Sequence, residues 1–332
     1  MVRSLSVRYA FAVAKQSRAI RTATIVANEA VCREHLRITL RRPELPPSHP
    51  GQFVHISPEV SPPPEYPAAQ GDSWHPGEEW SAIPHTPMLR RAFSVAGLRR
   101  GDDGIDIDVI YRVVGKATRW MASLRPGARV SILGPVGTGF PVNESKSTAW
   151  LVAGGVGLPP MLWFAQALHE ARKKAIAFCG VQSADLLPLT LDADATPTND
   201  ASEATLSAEE FSQHETPTVI STDDGSLGYC GHIGAALSAY HQANPIDANE
   251  VVVYACGPEP MLEFVSHYCI ERGMECYVCM ERAMACGIGT CQSCVIPVVD
   301  DCDPQGWRYR LCCREGPVFP AEDVIWNQPA KR

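Results

Sequence analysis

In the run Cys286-Gly287-Ile288-Gly289-Thr290-Cys291-Gln292-Ser293-Cys294, four residues separate the first two cysteines and two separate the next pair. This is the spacing of a plant-type [2Fe-2S] ferredoxin loop. Such a cluster needs thiolates converging from a loop wrapped closely around it, with backbone N–H groups turned toward sulfur. Gly287 and Gly289 permit the dihedrals and the close approach that side chains would block. A fourth ligand must come from elsewhere, and Cys302, Cys312 and Cys313 are the candidates. Adjacent residues of an extended segment point to opposite sides, so only one of the last pair would reach the iron. The competing reading is zinc: Cys276, Cys279, Cys291 and Cys294 form two CxxC pairs eleven residues apart, near zinc-ribbon spacing. That reading leaves Cys286 and the glycine turn without a purpose.

A second group of residues suits a flavin. Arg91, Ala92, Phe93 and Ser94 begin a strand: an Arg there offers charge-assisted donors to a pyrophosphate, while Ser and backbone N–H groups can contact an isoalloxazine ring. An ordinary barrel strand opening on Arg is the bland alternative. Further on, Ile110, Tyr111 and Arg112 lead into Val113-Val114-Gly115-Lys116-Ala117-Thr118, a small-residue turn before a helix whose first N–H groups can receive a phosphate. A helix start with no ligand would look similar, and it is the order of the segments along the chain that favours the flavin.

A third group suits a nicotinamide cofactor. Gly154, Gly155 and Gly157 form a loop between a strand and a helix, without the full GxGxxG of a dinucleotide fold. Cys256, Gly257 and Pro258 follow a buried strand, where a parallel sheet opens and a nicotinamide would lie. Cys256 is equally readable as a plain buried thiol. Between Lys174 and Arg272 there is no Lys or Arg but there are fifteen Asp or Glu, so a 2′-phosphate would find few cations, and NAD is expected rather than NADP. Thr222-Asp223-Asp224-Gly225-Ser226 could cap a ribose or form a turn, and its aspartates individually read slightly more readily as a turn.

These groups need elements to position them. Short β-rich runs separated by Gly, Pro and Asp fill 21–146 and predict an antiparallel FAD-binding barrel, interrupted by a Pro-rich insertion at 57–87. Strands alternating with helices over 147–272 predict a parallel-sheet NAD-binding α/β domain, with a surface insertion at 190–215. The cysteine-rich remainder, 273–332, reads as a small [2Fe-2S] module, and 1–20 as a frayed basic extension rather than a signal segment. The fold class expected is therefore multidomain β plus α/β. Nine of the thirteen cysteines fall between Cys269 and Cys313, which favours a metal site over a disulfide framework. The net charge of −8 argues against nucleic acid, and no run of apolar residues is long enough to span a bilayer, so a soluble protein is expected.

The segments YRVVGKAT, GGVGLPPM, TDDGSLG, ACGPEPML, ERAMACGIGTCQSCV and RLCCREGPVF together resemble the electron transfer subunits of dihydroorotate dehydrogenase B, within the ferredoxin reductase superfamily; the resemblance runs from Arg21 onward. It implies that Cys313, ahead of Arg314-Glu315-Gly316-Pro317, is the fourth cluster ligand. It also implies a cytoplasmic partner subunit that oxidises dihydroorotate to orotate at FMN in pyrimidine biosynthesis, assembled as a heterotetramer of two of each. Electrons would then pass through the cluster and FAD to NAD⁺, and no catalytic acid or base is expected in this chain. A reductase subunit of another flavin and iron–sulfur complex, of the NAD(P)H–ferredoxin type, would carry much the same motifs. Three departures stand out: Ala117 where the family commonly has glycine, the long 57–87 loop, and Cys312 beside the expected ligand.

Overall fold

The computed structural model describes residues 19–59 and 89–326. The expected extension, apart from residues 19 and 20, and the expected insertion, apart from residues 57–59, lie outside the described residues.

The first unit is built from β1 (Ile20–Cys32), β2 (His35–Arg42), β3 (Phe53–Pro58), β4 (Arg91–Ser94), β5 (Gly97–Gly101), β6 (Gly104–Arg112) and β7 (Arg129–Val136), with α1 (Lys116–Ser123) before β7. All its pairings are antiparallel, in the order β4-β3-β7-β1-β2-β6-β5. Alternating apolar residues such as Ile38 and Leu40, Ile107 and Val109, and Val130 and Ile132 meet inside it. The edges are drawn together where β4 passes into β5. Val95 N–H donates to Gln52 O on the β3 side, and Ala96 N–H donates to Asp108 O on β6. Two turns of chemistry thus sit on one wall, the β4 motif and the start of α1.

The second unit is a twisted sheet with the order β11-β10-β9-β8-β12-β13-β16. Its strands are β8 (Thr148–Gly154), β9 (Lys174–Val181), β10 (Thr218–Thr222), β11 (Tyr229–Cys230), β12 (Val251–Cys256) and β13 (Glu275–Cys279), all parallel, and the antiparallel edge strand β16 (Val318–Pro320). Helix α2 (Leu158–Glu170) covers one face, and α4 (Ile233–Ala243) and α5 (Glu259–Glu271) cover the other. Strands buried on both sides explain the near-continuous apolar runs AWLVA and VVVYAC.

Two boundaries differ from expectation. The run at 275–279, expected within the cluster module, forms β13, which pairs with β12 as a sixth parallel strand, and β16 returns to pair with β13. Its cysteines masked an ordinary sheet strand. The 190–215 segment is more than a surface insertion: Phe211, on the short helix α3 (Glu209–Ser212), and Ala208 are fully buried in the core under α2. The rest of the C-terminal module is a hairpin of β14 (Val295–Val299) and β15 (Trp307–Leu311) followed by α6 (Cys312–Glu315). Among the described residues no helix is long and apolar enough to cross a membrane.

Candidate functional site

The strand order reverses between β8 and β12, and a cleft opens outside the carboxyl ends of these strands, where open α/β sheets bind ligands. Cys179, Ala153, Cys256 and Cys279 stand in one row across that edge, and Gly180 and Gly154 pair one residue beyond it. The cleft runs on into the barrel as one cavity of about 1060 Å³. Every residue expected to touch a flavin (Arg91, Ala92, Phe93, Ser94, Ile110, Tyr111, Arg112, Ala117, Thr118) or a nicotinamide (Gly154, Gly155, Gly157, Cys256, Gly257, Pro258) lines it. Gly157 shows why the loop is built of glycine: a Cβ there would run into the Cys256 carbonyl, so α2 can start this close to β12 only without a side chain.

On the barrel side, the α1 turn is organised by Thr118. Its Oγ1 accepts from the N–H groups of Val114 and Gly115, both at 3.0 Å. Those two donors are thereby used internally, leaving the first-turn N–H groups of α1, which have no intrahelical partner, for an anion. Arg91 and Lys116 are exposed cations on the same cavity. Arg112 is committed elsewhere, its Nε donating to Glu34 Oε2 at 2.7 Å. Tyr111 offers only its ring, because its hydroxyl donates to Asn28 Oδ1 at 3.1 Å; burial pushes that phenol up to about 12.

In the cluster module the loop supplies its own sulfur donors. The N–H groups of Ile288 and Cys291 both donate to Cys286 Sγ at 3.4 Å, and Cys313 N–H donates to Cys294 Sγ at 3.4 Å. Ser293, whose Oγ lies 3.2 Å from Cys291 Sγ, together with nearby backbone N–H groups lowers the Cys291 thiol to about 6, toward the thiolate that binds metal. Cys313 is pushed up to about 12 by burial and by the neighbouring Cys294 and Cys286 sulfurs, opposed by the Gly289 N–H. Those neighbours place its thiol against the loop. Cys312 is fully buried, and its thiol is raised by burial and by Cys294, with Cys279 also close. Cys302 is exposed on the turn between β14 and β15. Cys312 and Cys313 open a helix rather than an extended segment, so the two-sided alternation does not apply; a turn of about 100° per residue still sends them in different directions.

The zinc arrangement is not assembled. Cys276 meets Cys269 of α5, while Cys279 lies beside Cys256, so this CxxC pair points to two different places. Among the described residues, no three His, Cys, Asp or Glu side chains surround a single point as a mononuclear site requires. The thiols, inward-turned N–H groups and glycines at φ +68° and +89° (Gly287 and Gly289) instead fit a loop wrapped around a larger body.

Asp223 and Asp224 divide between the two readings of their segment, and two further contributors, Arg282 and His55, escaped the sequence reading. Asp224 does build a turn, accepting from Ser226 N–H and Oγ, but Asp223 lines the cavity. Its place just after a strand's carboxyl end was the available signal. Arg282, also on the cavity, is gripped by both carboxylate oxygens of Glu259 at 2.9 and 3.1 Å, tying the cluster loop to the start of α5. His55, buried on β3, packs against Gly287. A lone histidine in an alternating strand gives no sign of this.

Comparison with known proteins agrees with this layout. A family model described as the iron–sulfur cluster binding domain of dihydroorotate dehydrogenase B matches residues 281–325, and an oxidoreductase NAD-binding domain model matches 151–267. The dihydroorotate dehydrogenase B (NAD(+)) electron transfer subunit of Bacillus mycoides (strain KBAB4) is 32% identical over 278 residues, covering 83% of this chain and 86% of that protein. The Bacillus cereus (strain AH187) protein of the same description is 30% identical over 280 residues, 84% of this chain and 87% of the relative. Among solved structures, an NADH-dependent reduced ferredoxin-NADP oxidoreductase covers 92% of this chain and 90% of its own with a TM-score of 0.67 at 23% identity. The ferredoxin reductase of carbazole 1,9a-dioxygenase covers 77% of this chain and 66% of its own with a TM-score of 0.56 at 20% identity. The structural likenesses establish a ferredoxin-reductase-like fold, and the sequence likeness goes further: this chain belongs to the family of dihydroorotate dehydrogenase B (NAD(+)) electron transfer subunits.

Proposed function

We propose that this chain carries electrons from dihydroorotate, oxidised at the FMN of a partner catalytic subunit, by way of a [2Fe-2S] cluster and FAD to NAD⁺ in pyrimidine (UMP) biosynthesis. The assembly is a cytoplasmic heterotetramer of two copies of each subunit. Cys286, Cys291, Cys294 and Cys313 hold the cluster. FAD lies against Arg91, Ala92, Phe93 and Ser94, Ile110, Tyr111 and Arg112, and Ala117 and Thr118. NAD⁺ enters over Gly154, Gly155 and Gly157 toward Cys256, Gly257 and Pro258. The working units are 21–146 for flavin, 147–272 for nicotinamide and 273–332 for the cluster, with β13 and β16 of the last completing the α/β sheet.

One observation carries this reading. Gly287 of the cysteine loop rests on His55 of β3, and His55 pairs directly with Ala92 of the flavin motif on β4. The loop and the flavin wall are separated by one strand pair, and the same wall opens on the nicotinamide cleft. When bound, an iron–sulfur centre exchanges single electrons, and a flavin can match these to the two-electron hydride chemistry of a nicotinamide. The chain's own residues bind and orient. Arg91, Lys116 and the first turn of α1 hold a pyrophosphate. Phe93, Ile110 and the Tyr111 ring exclude water from the flavin face. The glycines at the sheet edge let a nicotinamide approach. Hydride transfer needs no side-chain acid or base, so none is assigned.

The NAD preference rests on charge. The stretch 175–271 has no cation, Asp223 adds a carboxylate to the cavity, and Arg282 is already held by Glu259. A second reading, a reductase subunit serving another iron–sulfur partner, draws on the fold likeness to the reduced ferredoxin-NADP oxidoreductase. Anaerobic purification with iron, labile sulfide and flavin analysis, followed by NAD⁺ reduction with dihydroorotate and an FMN-containing partner, separates the two. Turnover supports the first; full cofactor loading without dihydroorotate activity supports the second.

A further inference from the structure

Cys256 ends β12 and Cys279 ends β13, and the two are direct register partners on neighbouring parallel strands. Partnered residues of adjacent strands point to the same face of a sheet, and both side chains pack on the α2 side. Adjacent strands lie about 4.8 Å apart, inside the Cα separation of about 4.4–6.8 Å that a disulfide spans. The thiols lie side by side: hydrogen bonding to Cys256, then burial, then the charges of Cys256 and Glu281 push the Cys279 thiol up. Both cysteines are free, and both line the cavity although only 8% and 5% of each is exposed. A second close pair, Cys269 of α5 and Cys276 of β13, is buried on the opposite face of the sheet, away from that cavity. Of these two pairs, only Cys256 and Cys279 can be reached by a small solute entering the cleft.

We propose that Cys256 and Cys279 are a site of reversible oxidation, closed to a disulfide by hydrogen peroxide, and that this bond slows nicotinamide turnover. The Cys256 sulfur attacks one peroxide oxygen, the O–O bond breaks, and a sulfenic acid and one water result. The Cys279 sulfur then displaces the sulfenic hydroxyl as a second water, and the S–S bond forms. Together the two thiols give up two electrons and two protons, which the peroxide takes up in becoming two waters. Cys279 is the resolving partner, because it is the thiol held protonated beside Cys256. A disulfide brings its Cβ atoms to about 3.8 Å, so the paired strand ends must close by about 1 Å from their ordinary spacing. That strain makes the bond easily reduced, as a regulatory disulfide must be. It also shifts the backbone at Cys256 and Gly257, on the path of the nicotinamide, and a misplacement of about 1 Å costs up to about 100-fold in rate. The effect on turnover rests on the nicotinamide reading given above; the disulfide itself does not.

The test uses the full chain with cluster and flavin in place. NADH-dependent dye reduction by untreated protein comes first: its absence sinks the nicotinamide reading, while the peptide map still decides the disulfide. The protein is then exposed to a small excess of hydrogen peroxide, its remaining thiols are alkylated under denaturing conditions, and linked peptides are identified by mass spectrometry. A crosslink between Cys256 and Cys279 is expected, with Cys269 and Cys276 alkylated as free thiols. Dye reduction should fall by about 10- to 100-fold in kcat/KM and return with dithiothreitol. Iron and labile sulfide counted after treatment separate damage to the cluster from oxidation of the pair. Cys279→Ser, read against its own untreated activity, should show neither the crosslink nor the dithiothreitol-reversible loss. Free Cys256 and Cys279 in treated wild type overturn the proposal, as does the same reversible loss in Cys279→Ser. A crosslink that leaves dye reduction unchanged overturns the control of turnover. If Cys279→Ser does not fold, the wild-type map and its reversal by dithiothreitol decide.

Discussion

Replacing Gly287 by Ala tests the seat of the cysteine loop on the barrel. Gly287 sits at φ +68°, where an L side chain costs about 1–2 kcal/mol. Its new methyl would also enter the His55 ring at 2.7–3.0 Å. The ring cannot retreat, because it is fully buried on a paired strand beside Phe53. Forced overpacking of this kind costs about 1–3 kcal/mol, so the two effects together predict a loss of about 2–5 kcal/mol. The assay is urea denaturation of the purified protein alongside iron and labile sulfide per chain. Repeating Gly287→Ala in a His55→Ala background closes a double-mutant cycle: the packing share should vanish, leaving only the backbone strain. A Gly287→Ala protein as stable and as well loaded as wild type would refute the reasoning. A loss of the same size in both backgrounds would show that the strain is in the backbone alone.

Other perturbations probe the rest of the site. Cys313→Ser should abolish labile sulfide and iron, whereas Cys312→Ser should keep both and lower stability by about 1–3 kcal/mol through a buried hydroxyl; the opposite pattern would exchange their roles. Thr118→Val removes the acceptor of the Val114 and Gly115 N–H groups at a partly exposed turn, so FAD retention on gel filtration and the melting temperature should both fall, at about 0.5–1.5 kcal/mol for each lost hydrogen bond. NADH should be preferred over NADPH in dye reduction by on the order of 100-fold in kcat/KM, and Asp223→Arg should narrow the gap. His55, lowered from 6.5 to about 4 by burial and Arg90, gives a pH test. In the window between these values the unfolded chain binds the extra proton, so stability is full above pH 6.5 and declines as pH falls toward 4. The loss at pH 5 is about 2 kcal/mol, and it should be absent from the urea curves of His55→Gln.

Much of the fold was legible because its signals are local. The period-2 runs of the barrel and the buried strands of the α/β sheet announce themselves within a few residues, as does the switch at Thr148. The failures are equally physical. Glu275 to Cys279 looked like part of a metal module because cysteine content outweighed a short strand signal, while membership of a sheet is settled by a partner, here β12. Phe211 looked exposed because its flanks are polar, yet the bridge between Leu191 and Ala208 folds it under α2. Asp223 and Asp224 are adjacent and chemically identical; one closes a turn and the other faces the cavity.

The cysteine loop shows where the division falls. By itself the sequence carries the spacing of Cys286, Cys291 and Cys294 and the glycines between them, because both are properties of nine consecutive residues. It also determined the cation-free nicotinamide half, because composition needs no geometry. Only the tertiary structure decided which thiol of the Cys312 and Cys313 pair turns to that loop, which strand the loop rests on, and that a histidine more than two hundred positions earlier lies beneath it. Those are contacts between segments far apart in the chain, set by how the barrel, the sheet and the hairpin bury their apolar faces against one another, and no local pattern encodes them.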